Sequence, residues 1–258
     1  MAFLRNLAKE AFPAMEIIRL LAEKPFIMNN LKTNGSSFID DKMPIYTYPQ
    51  NLNLGTAKTL QIYQKTHNIP SNLALIHSIT HIEYNAMKAY IDTIARFFTQ
   101  VSNELQADFL SDFLDIAAQE STHFLSLQSL LSSKGYEYGF MPGIDTIRLE
   151  IEKTKDNLIE RIAVLALIQE GKGLDAGPHL LKRLKDQEEL KVFGKIVEEE
   201  VFHVKNGVKW FKIFVGEEKI KEKFAVIWQK FAGNSKKIEN MNWKSRTQAG
   251  FERSWFEE

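Results

Sequence analysis

Four glutamates and two histidines recur along this chain in a fixed order, and that order restricts the fold more than any other feature. The order is Glu83, then Glu120-Ser-Thr-His123, then Glu170, then Glu200-Val-Phe-His203. Each sits on a long apolar stripe. The first stripe is Ile76, Ile79, Glu83, Met87, Tyr90, Ile94 and Phe97, and the second is Phe109, Phe113, Ile116, Glu120, His123, Leu127 and Leu130. The third is Ile159, Ala163, Ala166, Glu170 and Leu174, and the fourth Phe193, Val197, Glu200, Val204 and Phe211. Steps of three and four residues define the core-facing side of a helix, so the acids point inward. An ionised carboxylate there is very costly unless a cation meets it. Within each Glu-x-x-His the two side chains share one helical face, a turn apart. A helical bundle that gathers all six holds two metal ions.

Four long helices are expected: 73–100, 104–133, 146 to about 171, and 187–214. The fold class is therefore all-α, a four-helix bundle. A brief turn at Val101–Ser102 joins the first pair, and Gly135 closes the second helix as a left-handed cap. Glu83 and Glu120 are equidistant from that turn, which puts both at one level of an antiparallel hairpin, roughly 25–28 Å from it. Glu170 and Glu200 straddle Lys185 in the same way. Gly171, Gly173, Gly177 and Pro178 are expected to loosen the end of the third helix. The domain plan is an N-terminal accessory region over 1–70, the bundle over 71–214, and a C-terminal helix and tail over 215–258. In the accessory region, short helices are interrupted near Pro13, loop signals run from Asn34 to Pro49, and another helix lies within Asn53–His67. A short helix is expected over Lys219–Phe231, followed by a polar tail in which Trp243, Phe251 and Trp255 look buried.

The donor chemistry fits a metal pair. The chain has no cysteine, so disulfides, thiolate zinc and iron–sulfur clusters are out. Carboxylate oxygen with some imidazole suits iron first and manganese second. Four ionised glutamates and two divalent ions cancel by formal charge, and without metal some of the acids should take up protons. A lone Glu-x-x-His is ordinary at this composition; the ordered set is not. His81 and Asp175 are candidates for supporting the ligands. His77 shares a face with His81 and reads as a support or surface residue. Glu198 and Glu199 read as a solvated charge run. Tyr84 and Tyr90 read as core, and His67 and His179 lie in loop-like sequence. Gly171 and Gly173 either allow a close approach or end a helix.

The 258 residues are 44% hydrophobic, with 33 acidic and 33 basic side chains, so no broad basic surface advertises nucleic acid. Met1–Leu21 carries Glu10 and Glu16 and lacks the apolar core of a signal peptide. Ile162–Ile168 is too short to cross a bilayer. A cytoplasmic protein without membrane contact is expected.

Several segments resemble an uncharacterised ferritin-like family, a domain of unknown function in the ferritin-like di-iron carboxylate superfamily. They are His77-Ser-Ile-Thr-His81-Ile-Glu83-Tyr-Asn-Ala86, Gln119-Glu120-Ser-Thr-His123-Phe124, Glu170-Gly-Lys-Gly-Leu-Asp175-Ala-Gly-Pro178 and Glu199-Glu200-Val-Phe-His203-Val204, with Gly207, Trp210-Phe211 and the tail Arg246-Thr-Gln-Ala249-Gly250-Phe251. Gly171 stands where Ala is commoner in that family. More distantly the arrangement is similar to a ferritin-like tRNA hydroxylase. The resemblance implies a ferritin-like four-helix bundle and an oxygen-activating oxidase or hydroxylase, with dioxygen and a small-molecule substrate as partners, tRNA as a further candidate and a homodimer allowed. Iron oxidation or storage without an organic substrate is the alternative, and a purely structural metal the plainest one.

Overall fold

The computed structural model describes residues 52–232 and 241–256. The helices expected around Pro13 and the loop signals from Asn34 to Pro49 lie outside the described residues. The chain divides after Leu149 into two compact units. Among the described residues it is almost wholly helical.

In the first unit a two-residue strand β1 (Leu54–Gly55) leads into α1 (Ala57–Thr66), the helix expected within Asn53–His67. The Thr56 hydroxyl starts it by accepting the Thr59 N–H at 3.2 Å. Helix α2 (Ser71–Phe97) and helix α3 (Asn103–Ser133) form a long hairpin through a 3₁₀ turn at Phe98–Gln100. The end of α3 is fastened as expected. Gly135 takes φ +81°, its N–H reaches Ser132 O at 3.0 Å, and the Tyr136 N–H reaches Leu131 O at 3.0 Å. Beyond it β2 (Gly143–Ile144) pairs in parallel with β1, a bridge the local sequence does not announce. From Glu83 to Ile94 α2 is buried on every side rather than along one stripe, as in a helix at the centre of a core.

In the second unit the expected third helix is corrected at both ends. Helix α4 (Thr146–Lys153), which carries the chain across the unit boundary, stops short, and α5 (Leu158–Ile162) begins afresh. Asn157 makes the break by accepting the Glu160 N–H at 3.0 Å. Buried Arg161 then reaches back to Thr154 Oγ1 at 2.9 Å and Ile151 O at 2.8 Å, closing the end of α4. A π-helical segment (Ala163–Gln169) follows, and α6 (Glu170–Leu181) runs on through all three glycines and Pro178. Pro178 has no N–H for Leu174 O, and that carbonyl accepts from Asn242 Nδ2 instead, at 3.1 Å. Helix α7 (Gln187–Val215) starts at Asp186, whose carboxylate accepts the Glu188 and Glu189 N–H groups. It crosses its neighbours closely. A Cβ on Gly177 would stand 2.6 Å from Val197 Cγ2, and one on Gly207 would strike the Ala166 Cβ. The chain ends with α8 (Ile220–Ala232), α9 (Trp243–Gln248) and a 3₁₀ turn at Arg253–Phe256. Phe224, Trp228, Phe251, Trp255 and Phe256 are buried together, while Trp243 is only half-buried. No helix among the described residues is long and apolar enough to cross a membrane.

Candidate metal centre

Each unit contains a buried triad of metal-ligand type. In the first, α2 supplies Glu83 and α3 supplies Glu120 and His123, exposed by only 4, 1 and 1%. His123 Nδ1 lies 3.0 Å from Glu83 Oε2 and 3.9 Å from Glu120 Oε2. One donor atom from each of the three lies within 4.8 Å of the others. In the second unit Glu170 opens α6 while Glu200 and His203 come from α7, and their donor atoms also fall within 4.8 Å of one another. His203 Nδ1 stands 3.8 Å from Glu200 Oε1. In both units the i,i+3 spacing has done what helical geometry demands, aiming an imidazole and a carboxylate at one point.

Burial and mutual repulsion dominate the electrostatics of the first triad. Burial, and then the neighbouring Glu120 charge, push the Glu83 carboxyl well above the usual carboxylate range. For His123 burial opposes the charge, but the Glu120 and Glu83 carboxylates outweigh it and raise the pKa to about 11.

The backbone around the second triad is specialised. The π-helical segment ends at Gln169, immediately before Glu170; such wide turns concentrate at functional positions. A Cβ on Gly173 would be in ordinary contact with Glu200 Oε2, at 3.4 Å. One on Gly171 would press on Arg246, whose guanidinium nitrogens would be 3.3 and 3.4 Å away. Neither glycine ends the helix.

The two supporting candidates have other partners. Asp175 spends both carboxylate oxygens on the tail, with Arg246 at 2.9 and 2.7 Å and the Asn242 N–H at 2.8 Å. His81 is hydrogen-bonded through Nδ1 to the Tyr138 hydroxyl at 2.8 Å and through Nε2 to Asn85 Nδ2 at 3.0 Å. His77 accepts the Gly139 N–H at 3.1 Å. The surface reading of these histidines is overturned, since they are 0 and 1% exposed. Burial, then the nearby His81, lowers His77 to about 3, and burial lowers His81 to about 4 against the opposing pull of Asp145. Neither belongs to a metal-ligand group among the described residues. Tyr84 and Tyr90 are fully buried, Tyr84 against Phe124 and Tyr138 and Tyr90 against Phe113.

Sequence reasoning missed Tyr138, Gly143 and the role of Arg246. A Cβ on Gly143 would lie 2.6–2.8 Å from three atoms of the His81 ring, so the glycine beside the β1–β2 bridge makes space for the imidazole. A pattern of Tyr and Gly in the loop after α3 was the available signal; the residues it would meet are about sixty positions away.

Comparison with known proteins places the chain. A protein of Haemophilus influenzae, described as an uncharacterized protein, is 32% identical over 143 residues, which is 54% of this chain and 50% of that protein. The chain thus spans about half the length of the curated relative it matches. No solved structure matches. The family described as "Protein of unknown function (DUF455)" matches residues 14–257, and the chain belongs to that family.

Proposed function

We propose that the chain is a dinuclear metal–carboxylate protein, a ferritin-like four-helix bundle whose two triads supply the ligands for a pair of metal ions, iron first and manganese as the substitute, serving an oxygen-activating oxidase or hydroxylase. The observation that carries this reading is the duplication: two separate helix pairs each bury a Glu and a Glu-x-x-His with donor atoms inside 4.8 Å. A single buried triad has many explanations; two with one ligand grammar share one.

The donor set fits the metals. Carboxylate oxygens with one imidazole per triad match iron and manganese. Glu83, Glu120 and His123 would hold one ion and Glu170, Glu200 and His203 the other. When bound, a pair of redox-active irons would supply the electrons that reduce dioxygen for oxidation of a C–H bond. The remaining work falls to the chain. Glu83, Glu120, Glu170 and Glu200 supply four negative charges against two divalent ions. His123, whose Nδ1 lies 3.0 Å from Glu83 Oε2, would have to be neutral to ligate an ion. Tyr84 and Phe124, next in sequence to Glu83 and His123, are buried and keep water away from the first triad.

Elemental analysis of the purified chain tests the reading, combined with dioxygen uptake after anaerobic loading with ferrous iron. Two iron or manganese ions per chain are expected, reduced in both Glu120→Ala and Glu200→Ala, with dioxygen consumed by the loaded wild type. Wild-type metal content in Glu120→Ala counts against it. Dioxygen consumption that does no more than oxidise added iron moves the function to iron handling.

A further inference from the structure

We propose that Arg246, from the C-terminal tail, is a positioning residue that sets the rotation of α6 and thereby aims Glu170 at the metal; the inference rests on the metal reading above. The guanidinium is 1% exposed and grips α6 at two points. Its Nε and Nη2 fork onto Asp175 at 2.9 and 2.7 Å, and Nη2 also donates to Gly171 O at 2.9 Å. A bidentate fork fixes direction as well as distance, which a lysine cannot do.

The grip is placed where α6 needs it. Upstream of Glu170 the helix is π-wound over seven residues, so no regular α-helical register is handed to Glu170 from that side. Downstream, Pro178 removes one backbone bond. The tail makes up for it, because Asn242 donates its side-chain amide to Leu174 O and its backbone N–H to Asp175 Oδ1. With about 100° per residue, Gly171 and Asp175 lie roughly 100° and 140° round the helix from Glu170. The clamp therefore holds the flank of α6 and leaves the ligand face clear. Leverage makes this matter. A carboxylate about 5–6 Å from the helix axis moves about 2 Å for a rotation of roughly 20°, a whole metal–oxygen bond length.

Arg246 is itself held from behind, 5.1 Å from the Phe251 ring centre and 5.3 Å from that of Phe256. Its Nη1 has no hydrogen-bond partner among the described residues. A buried arginine with an unmet N–H is a poor choice if filling space were all that was needed. Gly171 completes the device, since a side chain there would crowd the guanidinium.

Titration of the metal-free chain with cobalt(II), a redox-stable probe, tests this on Arg246→Lys, Asp175→Asn and a control, Phe224→Leu. Phe224 is buried in the tail cluster, 5.6 Å from the Trp255 ring and 6.0 Å from that of Phe251, and has no polar group to offer the fork. Circular dichroism establishes that each variant is folded at the titration temperature; Asp175→Asn, being isosteric, serves if Arg246→Lys is not. The wild type should take up two ions. Arg246→Lys and Asp175→Asn should keep one tight ion and weaken the other at least about tenfold, while Phe224→Leu lowers the unfolding midpoint and still binds both like wild type. Two wild-type affinities in both fork variants overturn the clamp alone, as does an equal weakening in Phe224→Leu. A wild-type chain that takes up no cobalt overturns the metal reading and the clamp with it.

Discussion

Acid should destabilise the first unit through His77, by an amount the structure fixes. The imidazole is fully buried and its Nε2 accepts the Gly139 N–H. Protonation would place two donors face to face and leave a charge in the core. The pKa accordingly falls from 6.5 to about 3. With a depressed folded pKa, the unfolded chain binds the proton first, so stability is lost as pH falls below the unfolded value and goes on falling until the folded pKa is reached. The slope is about 1.4 kcal/mol per pH unit for this one group, and the loss at about pH 5 is about 2 kcal/mol. Urea unfolding from about pH 7.5 down to pH 5, with chelator present to keep metal out, measures it against His77→Gln. The glutamine does not titrate and can still offer an oxygen to Gly139. The wild type should start the more stable and lose about 2 kcal/mol of that advantage across the range. A constant gap between the two would refute the claim that a buried neutral His77 is what the fold requires.

Three further outcomes follow from particular contacts. Gly207→Ala should cost about 1–3 kcal/mol in denaturant unfolding, because the new methyl meets the Ala166 Cβ and Leu167 Cδ1. Asn242→Ala strands Leu174 O beside Pro178 and should cost about 1–3 kcal/mol; hydrogen exchange should show the loss first in α6 and α9. Metal addition should raise the unfolding temperature of the wild type, adding about 4 kcal/mol of stability per bound ion at a thousandfold excess over its dissociation constant, and should leave that of a Glu120→Ala, Glu200→Ala double variant unmoved.

The parts of this fold that were legible in the sequence are those whose cause is local. Helices α2, α3 and α7 follow from apolar residues at helical spacing, and their ends follow from Gly135 with its positive φ and from Asp186 as a cap. The Glu-x-x-His pair of each triad was legible for the same reason, since a step of three residues along one helix is a fixed geometry. The third expected helix failed because its glycines and proline were read as local breakers. Gly177 instead admits a neighbouring helix, and Pro178 is tolerated because Asn242, 64 positions on, takes the orphaned carbonyl. The actual break at Thr154–Asn157 did carry a signal, an asparagine three residues before Glu160, the spacing of an N-terminal cap. Tyr138 with His81, and Arg246 with Asp175, are pairings 57 and 71 residues apart. No local pattern encodes which distant residue answers a buried polar group.

The central claim is that the two triads are the ligands of a pair of metal ions. Anomalous diffraction from crystals of the metal-loaded chain tests it most directly. Two peaks are expected, one at His123 and the other at His203. A single peak, or peaks away from both histidines, would contradict it.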